Sequence, residues 1–199
     1  MHHTGGTGGN PLAKSSSLTF KDINESHRLR WPDFPSEFVK GSFVGYNFLI
    51  FPNGERVQTR ALGEETAAQR GSNLNTISVC LVGNFTRGVE SPTTSQILRL
   101  KSLLYALLTR DYASFVIAPG ASFYIAVDRV KPHRFFQNTE CNGSGLPDSW
   151  GREIAVHTIE ERISILRELV LLYQRLLDKL KVVPLGMEAR GCIETDVRG

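Results

Sequence analysis

In the stretch VKPHRFFQNTECNG, residues 130–143, an imidazole and a thiol stand eight positions apart, His133 and Cys141. Both are donors that a borderline-soft ion such as zinc prefers. A catalytic centre of that kind takes three ligands from the protein and keeps a fourth position open for water. The stretch supplies two of the three. Another imidazole is offered at the opposite end of the chain, where His2 and His3 open the run MHHTGG. Taken alone, a His-x7-Cys spacing fits a surface histidine and a buried cysteine better than a metal site, so its weight comes from what surrounds it.

The elements that must position these groups read as follows. Residues 5–17 are rich in Gly, Ser, Thr and Asn and form a loop; GGTGGNP lacks the lysine and following helix of a phosphate-binding loop. Thr19 and Asp22 cap a short helix that Trp31-Pro32 ends, with His27 as a packed residue rather than a ligand. Residues 43–51 and 55–60 make a hairpin about Pro52-Asn53-Gly54, and strict alternation sends Tyr46, Phe48 and Ile50 to one face. The run TISVCLVGNF, residues 76–85, is a strand covered on both faces, with Cys80 as a small buried hydrophobe. A Thr93 to Gln96 capping box opens a helix over 91–110, and two short strands at 114–118 and 122–127 flank the turn Pro119-Gly120. Strands interspersed with helices make an α/β (α+β layered) domain over residues 1–150.

Beyond it, Thr158 and Glu161 form a further capping box for a long amphipathic helix, 151–184, that Pro184 terminates before a polar, mobile tail at 185–199. Ile159, Ile163, Leu166, Val170, Tyr173, Leu177 and Leu180 alternate steps of four and three, a heptad seam. A parallel stripe of Ile165, Leu169, Leu172 and Leu176 broadens it. The seam fits packing against the domain, or self-association through residues 158–183.

Charged residues at 22% and apolar residues at 41% are ordinary for a globular chain, and the net charge of +3 gives no ground for a nucleic-acid partner. Three cysteines, Cys80, Cys141 and Cys192, are too few and too scattered for a disulfide framework. No stretch is apolar enough to span a membrane and no signal peptide is visible at the start. The expectation is a chain made in the cytoplasm, its export route left open. His2 has no strand in front of it, and a ligand at a fraying terminus is poorly held. An upstream strand, with Met1 internal to the native protein, is therefore expected.

MHHTGG, GYNFLIFPNGERVQTR, NTISVCLVGNF and HRFFQNTECNG occur in an order and at separations that resemble the zinc-dependent N-acetylmuramoyl-L-alanine amidases. That family includes the phage amidase-type lysozymes and the peptidoglycan recognition proteins. The resemblance spans residues 1 to about 145. It implies a central mixed β-sheet flanked by helices, with a cleft holding one zinc ion over one face. It implies His2, His133 and Cys141 as the zinc ligands, Tyr46 beside the water they activate, and Thr139 near the scissile group. His3 and Arg60 match positions that line the cleft and touch substrate. The implied activity is zinc-dependent hydrolysis of the amide between N-acetylmuramic acid and L-alanine in peptidoglycan. The alternative is a module that grips muropeptides without cutting them, and such relatives typically lose the cysteine ligand. One departure is Cys-Asn-Gly in place of the usual Cys-Pro-Gly; Asn and Gly both tolerate tight turns, so the turn is expected to survive.

Overall fold

The computed structural model describes residues 1–123, 125–141 and 143–181. Two compact units are distinguished, Met1–Ile159 and the residues from Glu160 onward. In the first, strands β1 (His2–His3), β2 (Phe48–Ile50), β3 (Arg56–Gln58) and β4 (Val79–Leu81) form one mixed sheet in the order β1-β4-β2-β3. β1 and β2 both run parallel to β4, while β3 closes the hairpin antiparallel to β2.

The two central strands read as unbroken apolar runs because both of their faces are covered. On one face Phe48, Ile50, Val79 and Leu81 meet Leu100, Leu103, Leu104 and Leu107 of helix α2 (Thr94–Thr109), joined by Ile154 and Ala155 from the start of helix α3 (Trp150–Lys181). On the other, Leu49, Cys80 and Val82 meet Ile23 of helix α1 (Phe20–Arg30). Of the three helix caps expected, two are present as capping boxes, Thr19 with Asp22 and Thr93 with Gln96. Gln96 is itself buried and donates to the Ile50 and Val82 carbonyls at 3.0 and 2.9 Å, which ties the helix start to two strands.

β1 is short but held along both edges. His2 and His3 register with Cys80 and Leu81 of β4. On the outer side the Met1 amino group donates to the Lys131 carbonyl at 2.8 Å, and the His133 amide donates to the Met1 carbonyl at 3.0 Å. The fraying expected of His2 is thus corrected by backbone pairing on both sides.

Three further expectations are revised. Tyr46 packs with the Leu49 and Cys80 cluster, not with Phe48 and Ile50. The amides of Asn47 and Phe48 both donate to the Ser78 carbonyl, at 2.9 and 3.1 Å. Two successive residues on one partner make a bulge, which reverses the alternation below Phe48. The strands expected at 114–118 and 122–127 reduce, among the described residues, to one parallel bridge between Leu62 and Ile117. Phe115, Phe123 and Ile125 still pack on the core, so their apolar pattern reports burial without a ladder. Thr158 does not open a helix: α3 begins eight residues earlier at Trp150, and the Thr158 hydroxyl donates to the Ile154 carbonyl at 2.7 Å. Gly151 permits that earlier start, since a Cβ there would lie 2.9 Å from Met1 Cγ.

In the second unit, the side chains of Ile163, Leu166, Val170, Tyr173, Leu177 and Leu180 are exposed. The expected stop at Pro184, the tail at 185–199 and Cys192 lie outside the described residues.

His27 gives the domain a pH dependence. Its Nδ1 accepts the Gly45 amide at 2.9 Å while its ring lies against Trp31 and Tyr46. Burial, followed by the charges of Arg30 and Arg60, lowers its pKa to about 4. The unfolded imidazole takes up a proton near pH 6.5 while the folded one stays neutral, so stability is lost as pH falls through that window. In chelator-treated protein, unfolding free energy from denaturant titrations should drop by about 1–2 kcal/mol from this group between pH 7 and pH 5. His27→Asn, whose side-chain oxygen can accept the same amide but does not titrate, should show a shallower decline.

Candidate metal centre

Three chain segments deliver the donors. Because β1 is a strand, His2 and His3 point to opposite faces. His2 shares the side of its registered partner Cys80, facing α1. His3 turns to the other side, where its Nδ1 accepts the Phe85 amide at 3.0 Å and its ring stacks on Phe85. His133 opens a single 3-10 turn, His133–Phe135, and its own amide forms the rung to Met1. Cys141 sits in a turn closed by the Gly143 amide on the Glu140 carbonyl at 2.8 Å. Gly143 has φ +88°, and a Cβ there would fall 2.2 Å from the Phe85 carbonyl oxygen, so this position demands glycine. Asn142, on which the expectation for Cys-Asn-Gly rests, lies outside the described residues. Arg134 braces the loop through Asp148 and the Leu146 carbonyl.

His2, His133 and Cys141 each place one ligand atom within 4.8 Å of the others. The two imidazole rings lie 4.3 Å apart, and Cys141 Sγ is 3.7 Å from His2 Nδ1. A tetrahedral zinc ion with bonds of about 2.1 Å to nitrogen and 2.3 Å to sulfur separates a nitrogen from a sulfur ligand by about 3.6 Å, close to the distance between Cys141 Sγ and His2 Nδ1. His133 Nδ1 is buried without any hydrogen-bond partner. An orphaned ring nitrogen beside a thiol and a second imidazole is the donor set a zinc ion completes. The residues present therefore fit the ion.

Burial dominates the electrostatics. It lowers His2 well below its usual range, helped by the nearby amino group, His133 and His3, and takes His133 to about 4. It also raises the Cys141 thiol. Near neutral pH both imidazoles are neutral and the thiol keeps its proton, so the donors are uncharged until a cation displaces that proton.

Tyr46 reaches the same place: its ring is 5.0 Å from that of His2 and 5.6 Å from that of His27. Burial raises the pKa of the Tyr46 phenol and of the neighbouring Cys80 thiol well above their usual ranges. Thr139 lies beside Cys141, its hydroxyl oxygen accepting the Cys141 amide at 3.2 Å. Arg60 is elsewhere. It is buried, with its guanidinium donating to the Val44, Phe34 and Glu65 carbonyls and paired with Glu64 at 3.1 Å. The substrate contact expected of Arg60 is corrected to a tie between loops, since burial among these partners takes it out of the cleft. His3, buried against Phe85, likewise braces the Phe85 segment instead of facing His2 and Cys141.

Two residues at the centre escaped the sequence reading. Gln69 Nε2 lies 3.2 Å from His2 Nε2, and Gln137 Nε2 lies 2.6 Å from His133 Nε2. Gln137 stands four residues after His133, a spacing that signals contact only once the turn is known. Gln69 comes from a loop with no periodicity and carries no signal in the sequence.

The family described as N-acetylmuramoyl-L-alanine amidase matches residues 1–144. No curated protein matches the chain. Among solved structures it is similar to the endolysin N-acetylmuramoyl-L-alanine amidase LysCS from Clostridium intestinale URNW, at 21% identity over 78% of each chain and a TM-score of 0.52. It is also similar to the Ph2119 endolysin from the Thermus scotoductus MAT2119 bacteriophage Ph2119, at 19% identity over 77% of this chain and 80% of that one, with a TM-score of 0.50. At these identities the likeness speaks for a shared fold.

Because the thiol is protonated and the imidazoles neutral, zinc loading at pH 7 should release about one proton per chain. Calorimetric titration in buffers of differing ionisation enthalpy reads this directly. Cys141→Ser should bind far more weakly and release close to none.

Proposed function

The chain belongs to the N-acetylmuramoyl-L-alanine amidase family, and on that premise we propose that His2, His133 and Cys141 hold one zinc ion at the heart of its peptidoglycan amidase site. The bond cut joins the lactyl group of N-acetylmuramic acid to L-alanine. The observation that carries the metal assignment is the buried, unpartnered Nδ1 of His133 beside His2 and Cys141. Bound there, zinc supplies Lewis acidity toward a water and toward the amide carbonyl.

The remaining work falls to the chain's own side chains. Tyr46 stays a neutral phenol because burial holds its pKa high, so its hydroxyl is a hydrogen-bond donor at any working pH. It orients the attacking water or meets the oxyanion that develops on the carbonyl. Thr139 has one lone pair engaged by the Cys141 amide, which leaves its own O–H to donate to the same oxyanion. Neither hydroxyl is suited to shuttling protons, and both act by fixed dipoles. The presence of Cys141 in the donor set supports cleavage over a grip on muropeptides alone.

The exposed stripe on α3 supports a second element of the proposal, self-association. Ile163, Leu166, Val170, Tyr173, Leu177 and Leu180 keep the four-and-three spacing of a helix seam and are exposed. A copy of the same helix offers the matching surface. No helix among the described residues is long and apolar enough to cross a membrane.

Hydrolysis of purified cell wall should be abolished by a chelator and restored by zinc; an unaffected rate would exclude the metal assignment. Tyr46→Phe should lower kcat by about 10²–10³-fold, the range for loss of one oxyanion donor, with zinc content unchanged. Light scattering on the full chain should give a mass above that of one chain, and Leu166→Glu with Leu177→Glu should return it to a monomer. A wild-type monomer at high concentration would refute self-association.

A further inference from the structure

The buried carboxamide of Gln69 lies against His2, on the ring edge away from Cys141. His2 turns Nδ1 to Cys141 Sγ at 3.7 Å and Nε2 to Gln69 Nε2 at 3.2 Å. Gln69 is 3% exposed, and its Oε1 is buried with no hydrogen-bond partner. The oxygen and nitrogen of a carboxamide are assigned from their surroundings, and ligation by His2 through Nδ1 requires the exchange. If the amide nitrogen donated to Nε2, the ring proton would sit on Nδ1, pointing at the thiol and leaving no lone pair for a metal. With the carboxamide turned over, the unsatisfied oxygen accepts Nε2–H, and Nδ1 presents its lone pair toward Cys141 and His133.

We propose that Gln69 is a positioning residue of the metal centre, its carboxamide oxygen accepting the Nε2–H of His2 and so fixing the tautomer that ligates through Nδ1. This rests on the zinc reading given above. Metal-bound histidines generally give their second ring N–H to such an acceptor, and its loss typically costs 10–100-fold in metal affinity. His133 has the same arrangement, with Gln137 at Nε2 and a free Nδ1. Gln137, however, is exposed, so water can take over its bond. Gln69 is sealed from solvent, and water cannot.

The test is zinc affinity of the full chain, measured by competition with a chromophoric chelator, alongside the melting temperature of the metal-free protein. Gln69→Leu should weaken zinc binding by about 10–100-fold while the metal-free melting temperature stays within a few degrees of wild type. Gln137→Leu should cost less than Gln69→Leu. Gln69→Glu decides the direction of the hydrogen bond even if the leucine variant fails to fold. A carboxylate can accept Nε2–H but cannot donate, so affinity should stay within about threefold of wild type or tighten. Cobalt-substituted Gln69→Glu should keep the wild-type ligand-field spectrum. Loss of affinity in Gln69→Glu, or a Gln69→Leu variant that binds zinc within about twofold of wild type, would overturn the inference while leaving the metal centre intact. A wild-type chain that takes up no zinc overturns both.

Discussion

The rungs that join Met1 to Lys131 and His133 are backbone hydrogen bonds at the outer edge of the sheet, and they set the position of two of the three donors at once. A backbone pair holds its residues in register without asking anything of their side chains. With β1 already locked into register on β4, the edge pairing carries that register across to His133. Cys141 is then placed by a different device, the glycine turn wedged beneath the Phe85 carbonyl, and His3 braces that same segment through the Phe85 amide. Each donor thus inherits its place from the sheet through main-chain contacts, which leaves its side chain free for chemistry.

The environment built around those donors is dry. Burial alone explains most of the depressed imidazoles and the raised thiol, and Tyr46 and Cys80 beneath them are held neutral for the same reason. Charge placed in such surroundings by a dication, or by a reacting carbonyl, is screened little, so a few well-aimed dipoles count for much. The two glutamines belong to this logic, being neutral groups that orient the histidines without adding charge.

The trio that the structure brings together, His2, His133 and Cys141, could be picked out of the sequence because such residue types are chemically rare and their surrounding motifs keep a recognisable order. The helices declared themselves through capping residues, Thr19 with Asp22 and Thr93 with Gln96. Where the reading failed, the cause was tertiary. The bulge at Asn47 and Phe48 reversed a face assignment that alternation alone makes; Ile117 met only a single bridge where its neighbours looked like strand. Arg60 could not be told from a cleft residue until its buried partners were seen. Thr158 has the chemistry of a cap, but packing of Ile154 and Ala155 on the core pulled the helix start back to Trp150. Gln69 could not have been found at all, since nothing in a loop sequence says which distant histidine it will meet.

The amino group of Met1 and the carbonyl of Lys131 are separated by 130 residues along the chain. Contacts of that span form late, because almost the whole loop between them must be gathered first. The sheet core around β2 and β4 closes over shorter separations and can be in place while the donors are still apart. Any ion taken up by this trio on the proposed reading would be captured only after the core has formed, and a metal-sensitive dye would time a late event of folding instead of an early one. An ion held by His2, His133 and Cys141 would cross-link residue 2 to residues 133 and 141, so its removal would loosen the edge of the sheet before the interior.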